Sequence, residues 1–454
     1  MNGTAAPAAP AAEPVVALPA ALQTPLDDAD ALWEADRCLR CGGPTAPAPC
    51  VLACPTQIDV PAFLDAIARG DLQSAATIIF LANALGGSCA RVCPVEELCE
   101  RACVLDKQGR YPITIARLQR YAADWALARA AVPLTAGPRN GKRVTVIGAG
   151  PAGLGCAAEL AGLGYAVTVV DARLEVGGLV RYAIAPYRLL RDPLPAEAER
   201  LAAAGVQFRL DTPIDRPERL RALEREADAL FLGVGLGSDA EVPYPGDDLP
   251  GVWDSLPFIE ALKLDHPPRV GEHALVVGGG NTAIDVAREA LRLGARHVTL
   301  LYRRSEKEMP AYPHEVREAR EEGVSFEFLA EPVRFLGNGH VDQVQCRRMR
   351  LGAPDASGRS RPEPVTGSEF LLPADTVIMA IGQQRRTEFY SWIDGLRLDH
   401  GLVVTDPCTG QTSVPKYFAG GDAVNGGATV VQAVRAGTVA ARGIDRYLSG
   451  GAGA

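Results

Sequence analysis

No Lys or Arg occurs before Arg37 in this 454-residue chain, so its N-terminus lacks the basic stretch that opens a secretory signal or an Arg-rich transit peptide. Basic charge is nowhere in excess: 46 Lys and Arg face 55 Asp and Glu, a formal charge of −9, which is the wrong balance for a general nucleic-acid binder. Long apolar runs are missing as well. The longest uncharged stretch, Leu72 to Ala90, carries Gln73, Ser74, Asn83, Gly86, Gly87 and Ser88, and reads as a buried helix ending at the glycine pair rather than as a membrane span. The six histidines are scattered, and no Ser-His-acid set or paired-carboxylate site has to be invoked. Asp285, Arg288, Glu308 and His314 are polar candidates that a helix face or surface loop explains equally well. A cytoplasmic protein with no nucleic-acid and no membrane partner is expected.

Cysteine is rare except in one place. Eight of eleven lie between Cys38 and Cys103, leaving only Cys156, Cys346 and Cys408 elsewhere. Without export a disulfide framework is not expected, so the clustered thiols read as metal or cluster ligands. They run Cys38-x2-Cys41-x8-Cys50-x3-Cys54-Pro55 and Cys89-x3-Cys93-Pro94-x4-Cys99-x3-Cys103. Tight spacings with Pro after two of the cysteines are the style of four-iron cluster ligation. Structural zinc is the alternative, but only Cys38 and Cys41 have its CxxC spacing. Eight thiols are enough for two 4Fe-4S clusters.

The length allows about two to four domains at the usual size. Residues 1–30 form an Ala/Pro tail that buries too little to order itself, and 31–135 a helical cysteine domain. After the turn-former cluster Thr135 to Gly141 come two βαβ grammars. The expected class is α/β: a helical N-terminal iron-sulfur domain followed by two Rossmann-like dinucleotide-binding domains. The FAD domain spans 140–265 and 382–454, and an NAD(P) domain, 266–381, is inserted in it.

The first motif, Gly148-Ala149-Gly150-Pro151-Ala152-Gly153, follows the β-branched run Arg143 to Ile147 and opens a helix, with Asp171 ending the next strand. Gly148 permits the turn, Gly150 lets the backbone approach a pyrophosphate, Gly153 lets helix pack on strand, and Asp171 suits a ribose. The second motif, Gly278-Gly279-Gly280-Asn281-Thr282-Ala283, has Ala at the third small position. Its second strand ends not in an acid but in Tyr302-Arg303-Arg304, with Lys307 beyond. That group suits a 2′-phosphate and favours NADPH, the bland alternative being a solvated basic loop. Near the C-terminus Gly420-Gly421-Asp422 precedes the helical stretch Ala428 to Ala441, which suits the ribityl chain and pyrimidine edge of a flavin. Taken alone, Gly-Gly-Asp is only a turn. Flavin motif, nucleotide motif and returning flavin segment, in that order, resemble the two-dinucleotide-domain flavoprotein reductases.

Residues 34–126, above all Asn83 to Pro94 and Pro112 to Tyr121, resemble the iron-sulfur and flavin portion of the dihydropyrimidine dehydrogenase family, most closely the small subunit of its bacterial NAD-dependent form. A broader likeness to glutamate synthase small subunits covers nearly everything after the tail, including Gly177-Gly178-Leu179. By position, the first resemblance implies Cys38, Cys41, Cys50 and Cys103 on one cluster and Cys54, Cys93, Cys99 and Gln119 on the other, with Cys89 spare. Spacing alone would make Cys89 the eighth ligand. The resemblance further implies an electron-input oxidoreductase subunit using NAD(P)H, FAD and two 4Fe-4S clusters, in a heteromer with an FMN-containing catalytic large subunit that reduces uracil or thymine or runs the reverse reaction. The alternatives are the small subunit of NADPH-dependent glutamate synthase and a ferredoxin-NADP reductase type of subunit.

Overall fold

A computed structural model describes residues 24–43, 46–189, 192–354 and 358–450. The Ala/Pro tail lies outside them up to residue 23, but its expected end at residue 30 does not hold. Asp28–Asp36 is already a helix, capped where Asp27 accepts from the Asp30 N–H at 2.8 Å. Helices Val60–Ala68, Leu72–Ala82, Gly86–Val92 and Ile115–Leu127 follow, with shorter ones at Pro49–Ala53 and Val104–Lys107. Phe63, Leu64, Ile67, Ile79 and Leu118 close their common core.

The uncharged run is two helices, not one. Leu72–Ala82 stops at Asn83, whose backbone is extended, and the glycine pair opens Gly86–Val92 at 85° to the first helix. The glycines sit at the start because of what surrounds them. A Cβ on Gly86 would lie 2.5 Å from Ile79 Cγ2. Buried Glu197, from beyond the first βαβ unit, accepts from the Gly87 and Ser88 N–H groups at 2.7 and 3.1 Å and from the Ser88 hydroxyl. Its oxygens satisfy N–H groups that the first turn of the helix leaves unpaired. Among the described residues no single helix is long and apolar enough to cross a membrane.

Burial pushes the Glu197 carboxyl up to about 7 from 4.5. The native state therefore holds a proton that the unfolded chain has lost. Its contribution to stability is present below the unfolded value and disappears as pH rises through the folded one. Glu197→Gln keeps an acceptor for the two N–H groups, and between about pH 5 and pH 8 it is expected to lose less melting temperature than the wild type, the difference corresponding to on the order of 3 kcal/mol. Parallel pH profiles would assign the effect to another group.

Two parallel five-stranded sheets follow. The first has the order Tyr417–Ala419, Ala229–Leu232, Arg143–Ile147, Ala166–Val170, Gln207–Arg209. The second has the order Val252–Asp254, Thr376–Ala380, His273–Gly278, His297–Tyr302, Ser325–Phe328. Because helices and loops cover both faces, strands such as Thr376–Ala380 are buried at every residue and read as unbroken apolar runs. The strand Tyr417–Ala419 returns to the first sheet from the far end of the chain, so the second sheet is an insertion. That insertion begins before residue 266. Val252–Asp254 already pairs with Thr376–Ala380, a three-residue strand too short to show a period. Strands Ala330–Gly337, Val341–Pro354 and Ser360–Pro373 add an antiparallel sheet beside the second unit.

Candidate active site

Both glycine turns have the shape a nucleotide needs. In the first, Gly148 has φ +106°, and a Cβ there would lie 2.3 Å from Gly233 O. One on Gly153 would lie 1.9 Å from Gly148 O. Gly150 caps the helix Pro151–Gly162, and the closest atom to a Cβ on it would be Gly178 Cα at 3.9 Å. The turn is therefore shut behind and open in front, which fits a pyrophosphate at the helix N-terminus. Asp171 braces it, accepting from the Ala149 N–H at 2.6 Å and from the Arg173 N–H at 2.8 Å. Gly421, at φ +69°, brings the returning segment against Ala152. Asp422 accepts there from the Ala428 N–H at 3.1 Å, and burial raises its carboxyl, opposed by that bond and by Arg385. Thr429 and Gln432 form a capping box at the start of helix Val430–Leu448.

In the second turn, Gly278 and Gly280 repeat the pattern, and a Cβ on Gly280 would meet nothing within 4 Å. Asn281 Oδ1 accepts from the Tyr312 N–H at 2.9 Å, and Thr282 lines the adjoining space. Gly279 was not singled out, yet a Cβ on it would run into the Tyr302 ring at 2.5 Å. Arg303 is exposed and borders a cavity of about 410 Å³ with the turn. Arg304 borders it too but is buried, its Nε donating to Ser360 O at 2.8 Å. Lys307 is exposed and does not line this cavity.

A larger cavity of about 1180 Å³ lies where the three parts of the molecule meet. Its wall includes Asp422 and Thr429 from the flavin segment, Gly280 and Asn281 from the second turn, and Cys93 from the cysteine domain. The cysteines form two groups. Cys38, Cys41, Cys50 and Cys103 line one small space. Cys54, Cys89, Cys93 and Cys99 make the other, in which Cys93 is hydrogen-bonded to Cys89 and lies close to Cys99 and Cys54. Burial raises the Cys38 thiol, and burial together with neighbouring thiols pushes Cys50 up to about 12. The Cys89 bond and burial raise Cys93 well above the usual thiol range. Crowded thiols of this kind ionise only against a strong positive charge, which the iron of a cluster provides.

Residues 142–437 match the family model for pyridine nucleotide-disulphide oxidoreductases, and residues 19–131 match the one for dihydropyrimidine dehydrogenase domain II, 4Fe-4S cluster. The small chain of glutamate synthase [NADPH] from Escherichia coli (strain K12) is 38% identical over 443 residues, spanning 93% of each chain. The chain belongs to the glutamate synthase small-chain-like superfamily of pyridine nucleotide-disulphide oxidoreductases. The beta subunit of NADP(+)-dependent formate dehydrogenase from Moorella thermoacetica is 42% identical over 443 residues, but this chain spans only 61% of it. Mycobacterium tuberculosis FprA in complex with NADPH shares the fold, with a TM-score of 0.58 at 20% identity over 69% of this chain and 85% of that one. This superfamily member is an electron-transferring oxidoreductase that uses FAD, 4Fe-4S clusters and NAD(P)H.

Two sites in the superfamily member differ from their sequence reading. Asp285 and His314, which a helix face or loop would have explained, line the large cavity beside Arg188. Arg188 pairs with Asp285 and Glu315, joining the two nucleotide domains. Arg385 was missed altogether. It lines the same cavity and donates to Gly426 O at 3.4 Å, with no motif around it to betray the role.

Cys89 is not remote from the second thiol group, while Gln119 is buried with its Nε2 donating to Gly86 O at 2.7 Å. That bond occupies Nε2, so Oε1 is the atom Gln119 would offer if it were the ligand. Under the assignment with Gln119, Cys89→Ser is expected to keep about eight irons per chain, whereas Gln119→Ala changes the EPR signal of one cluster. The reverse result would make Cys89 the ligand.

Proposed function

We propose that this chain is an electron-input subunit, taking reducing equivalents from NADPH and delivering them to a separate catalytic subunit. The observation that carries this reading is the shared cavity: one space is walled by a cluster-group thiol, the flavin segment and the second glycine turn. Gly148, Gly150 and Gly153 would hold the FAD pyrophosphate, with Asp171 at the ribose and Gly178, Gly421 and Asp422 along the rest of the cofactor. Gly278, Gly280, Asn281 and Thr282 would hold NADPH, with Arg303 toward its 2′-phosphate. When bound, the flavin and the clusters supply the conversion of a hydride into single electrons. The chain's own work is placement. It sets the second glycine turn, Asp422 and Cys93 on the walls of one cavity.

The end-to-end match favours a glutamate synthase large subunit as the partner over the expected pyrimidine-reducing one. The second reading, an FMN-containing dihydropyrimidine dehydrogenase subunit, is favoured by the description matched at residues 19–131. An anaerobic pull-down with the tagged chain tests both. A partner that converts glutamine and 2-oxoglutarate when NADPH is added supports the first reading, and one that reduces uracil replaces it with the second. Electron input itself fails if NADPH does not bleach the bound flavin.

A further inference from the structure

The antiparallel hairpin of Val341–Pro354 and Ser360–Pro373 contributes nothing to either glycine turn, yet it reaches the cavity beside the second one. Arg359, directly before its second strand, lines the cavity of about 410 Å³ together with Gly278, Gly280, Thr282, Arg303 and Arg304. The hairpin is tied to that cavity at the neighbouring residue, because Arg304 Nε donates to Ser360 O at 2.8 Å. Three guanidiniums thus border one space in a chain whose formal charge is −9. The one carboxylate on the described wall, Glu331, is held by Arg347 at 2.5 and 2.9 Å, so its charge is already matched. The space lies at the C-terminal end of strand His297–Tyr302, where nucleotide domains of this class recognise the ribose or its phosphate.

We infer that Arg359 is a specificity-determining residue for the nucleotide, and that the hairpin carries it to the 2′-phosphate of the adenosine. The phosphate is then gripped from two separate elements, Arg303 on the strand end and Arg359 on the hairpin. Arg304, fixed to Ser360, is chiefly the positioning residue that holds the hairpin in place. Planar guanidiniums brought to one dianion by two separate elements give discrimination that a single basic loop open to water does not. The inference rests on the NADPH reading above.

The test is calorimetry on the FAD- and cluster-loaded protein with 2′,5′-ADP and 5′-AMP as probes, on Arg359→Ala, Arg359→Lys and Arg303→Ala. Arg359→Ala is expected to weaken 2′,5′-ADP by about tenfold or more while moving 5′-AMP by less than about twofold, and Arg359→Lys is expected to recover part of the loss. Equal weakening of both probes, or no change in Arg359→Ala while Arg303→Ala loses its preference, would overturn the hairpin's role and leave the NADPH reading standing. If the wild type does not prefer 2′,5′-ADP at all, both fail. Should Arg359→Ala lose its flavin, Arg359→Lys decides: a preference for 2′,5′-ADP over 5′-AMP that is kept but reduced supports the contact, and discrimination unchanged from the wild type or equal loss of both probes overturns it.

Discussion

Replacing Cys93 with Ala is expected to strip about four irons from the chain and to lower NADPH-driven reduction of a one-electron acceptor by about a hundredfold or more. The reason is position. Cys93 stands in the thiol group with Cys54 and Cys99 and also on the wall of the cavity that holds Asp422 and Asn281. It is where the cysteine domain meets the flavin segment. The other group, around Cys41 and Cys103, lines a separate space away from that cavity. Cys41→Ala is therefore expected to lose the same amount of iron while keeping the EPR signal of the Cys93 group, and to stop delivery further along the path. Iron assay, EPR and stopped-flow bleaching of the flavin separate the steps. A Cys93→Ala protein with full iron and unchanged delivery would remove this group from the path.

How much of this could be read from the residues depended on whether the information was local. The glycine turns were legible because each requirement falls on one residue in a fixed order: a positive φ at Gly148, open space before Gly150, no room for a side chain at Gly153. The discontinuous flavin sheet was legible for the same reason, since Gly421 and Asp422 mark the return of the chain. What escaped notice was set by tertiary packing. The bend at Asn83 depends on Glu197, more than a hundred residues away, holding Gly87 and Ser88. Arg385 becomes a cavity residue only after the insertion closes and brings it beside Gly426. Arg304 resembles Arg303 in sequence, but burial and the Ser360 carbonyl give the two different work. The start of the second unit was misplaced because Val252–Asp254 is a strand only by virtue of its neighbour Thr376–Ala380.

The close approach of helices Pro151–Gly162 and Val430–Leu448 shows which glycines a substitution cannot replace. A Cβ on Gly153 would lie 1.9 Å from the Gly148 carbonyl oxygen, and one on Gly437 2.0 Å from Ala152 O. Both obstacles are backbone, so no side-chain rotation relieves them. Gly153→Ala must push the helix off its strand, and it is expected to cost at least about 3 kcal/mol and to release FAD, seen as loss of the flavin from the protein at unchanged iron content, with a lowered melting temperature. Gly150→Ala is the informative contrast. Its φ of −76° suits any residue, and its Cβ would meet only Gly178 Cα at 3.9 Å. This variant is expected to melt within a few degrees of the wild type and yet bind FAD at least about tenfold more weakly, because the methyl group stands where the pyrophosphate approaches. If Gly150→Ala retains FAD at wild-type affinity, the phosphates do not lie on this turn. A Gly153→Ala protein that retains its FAD and melts normally would mean that the helix can slide, which the packing of Gly437 on Ala152 argues against.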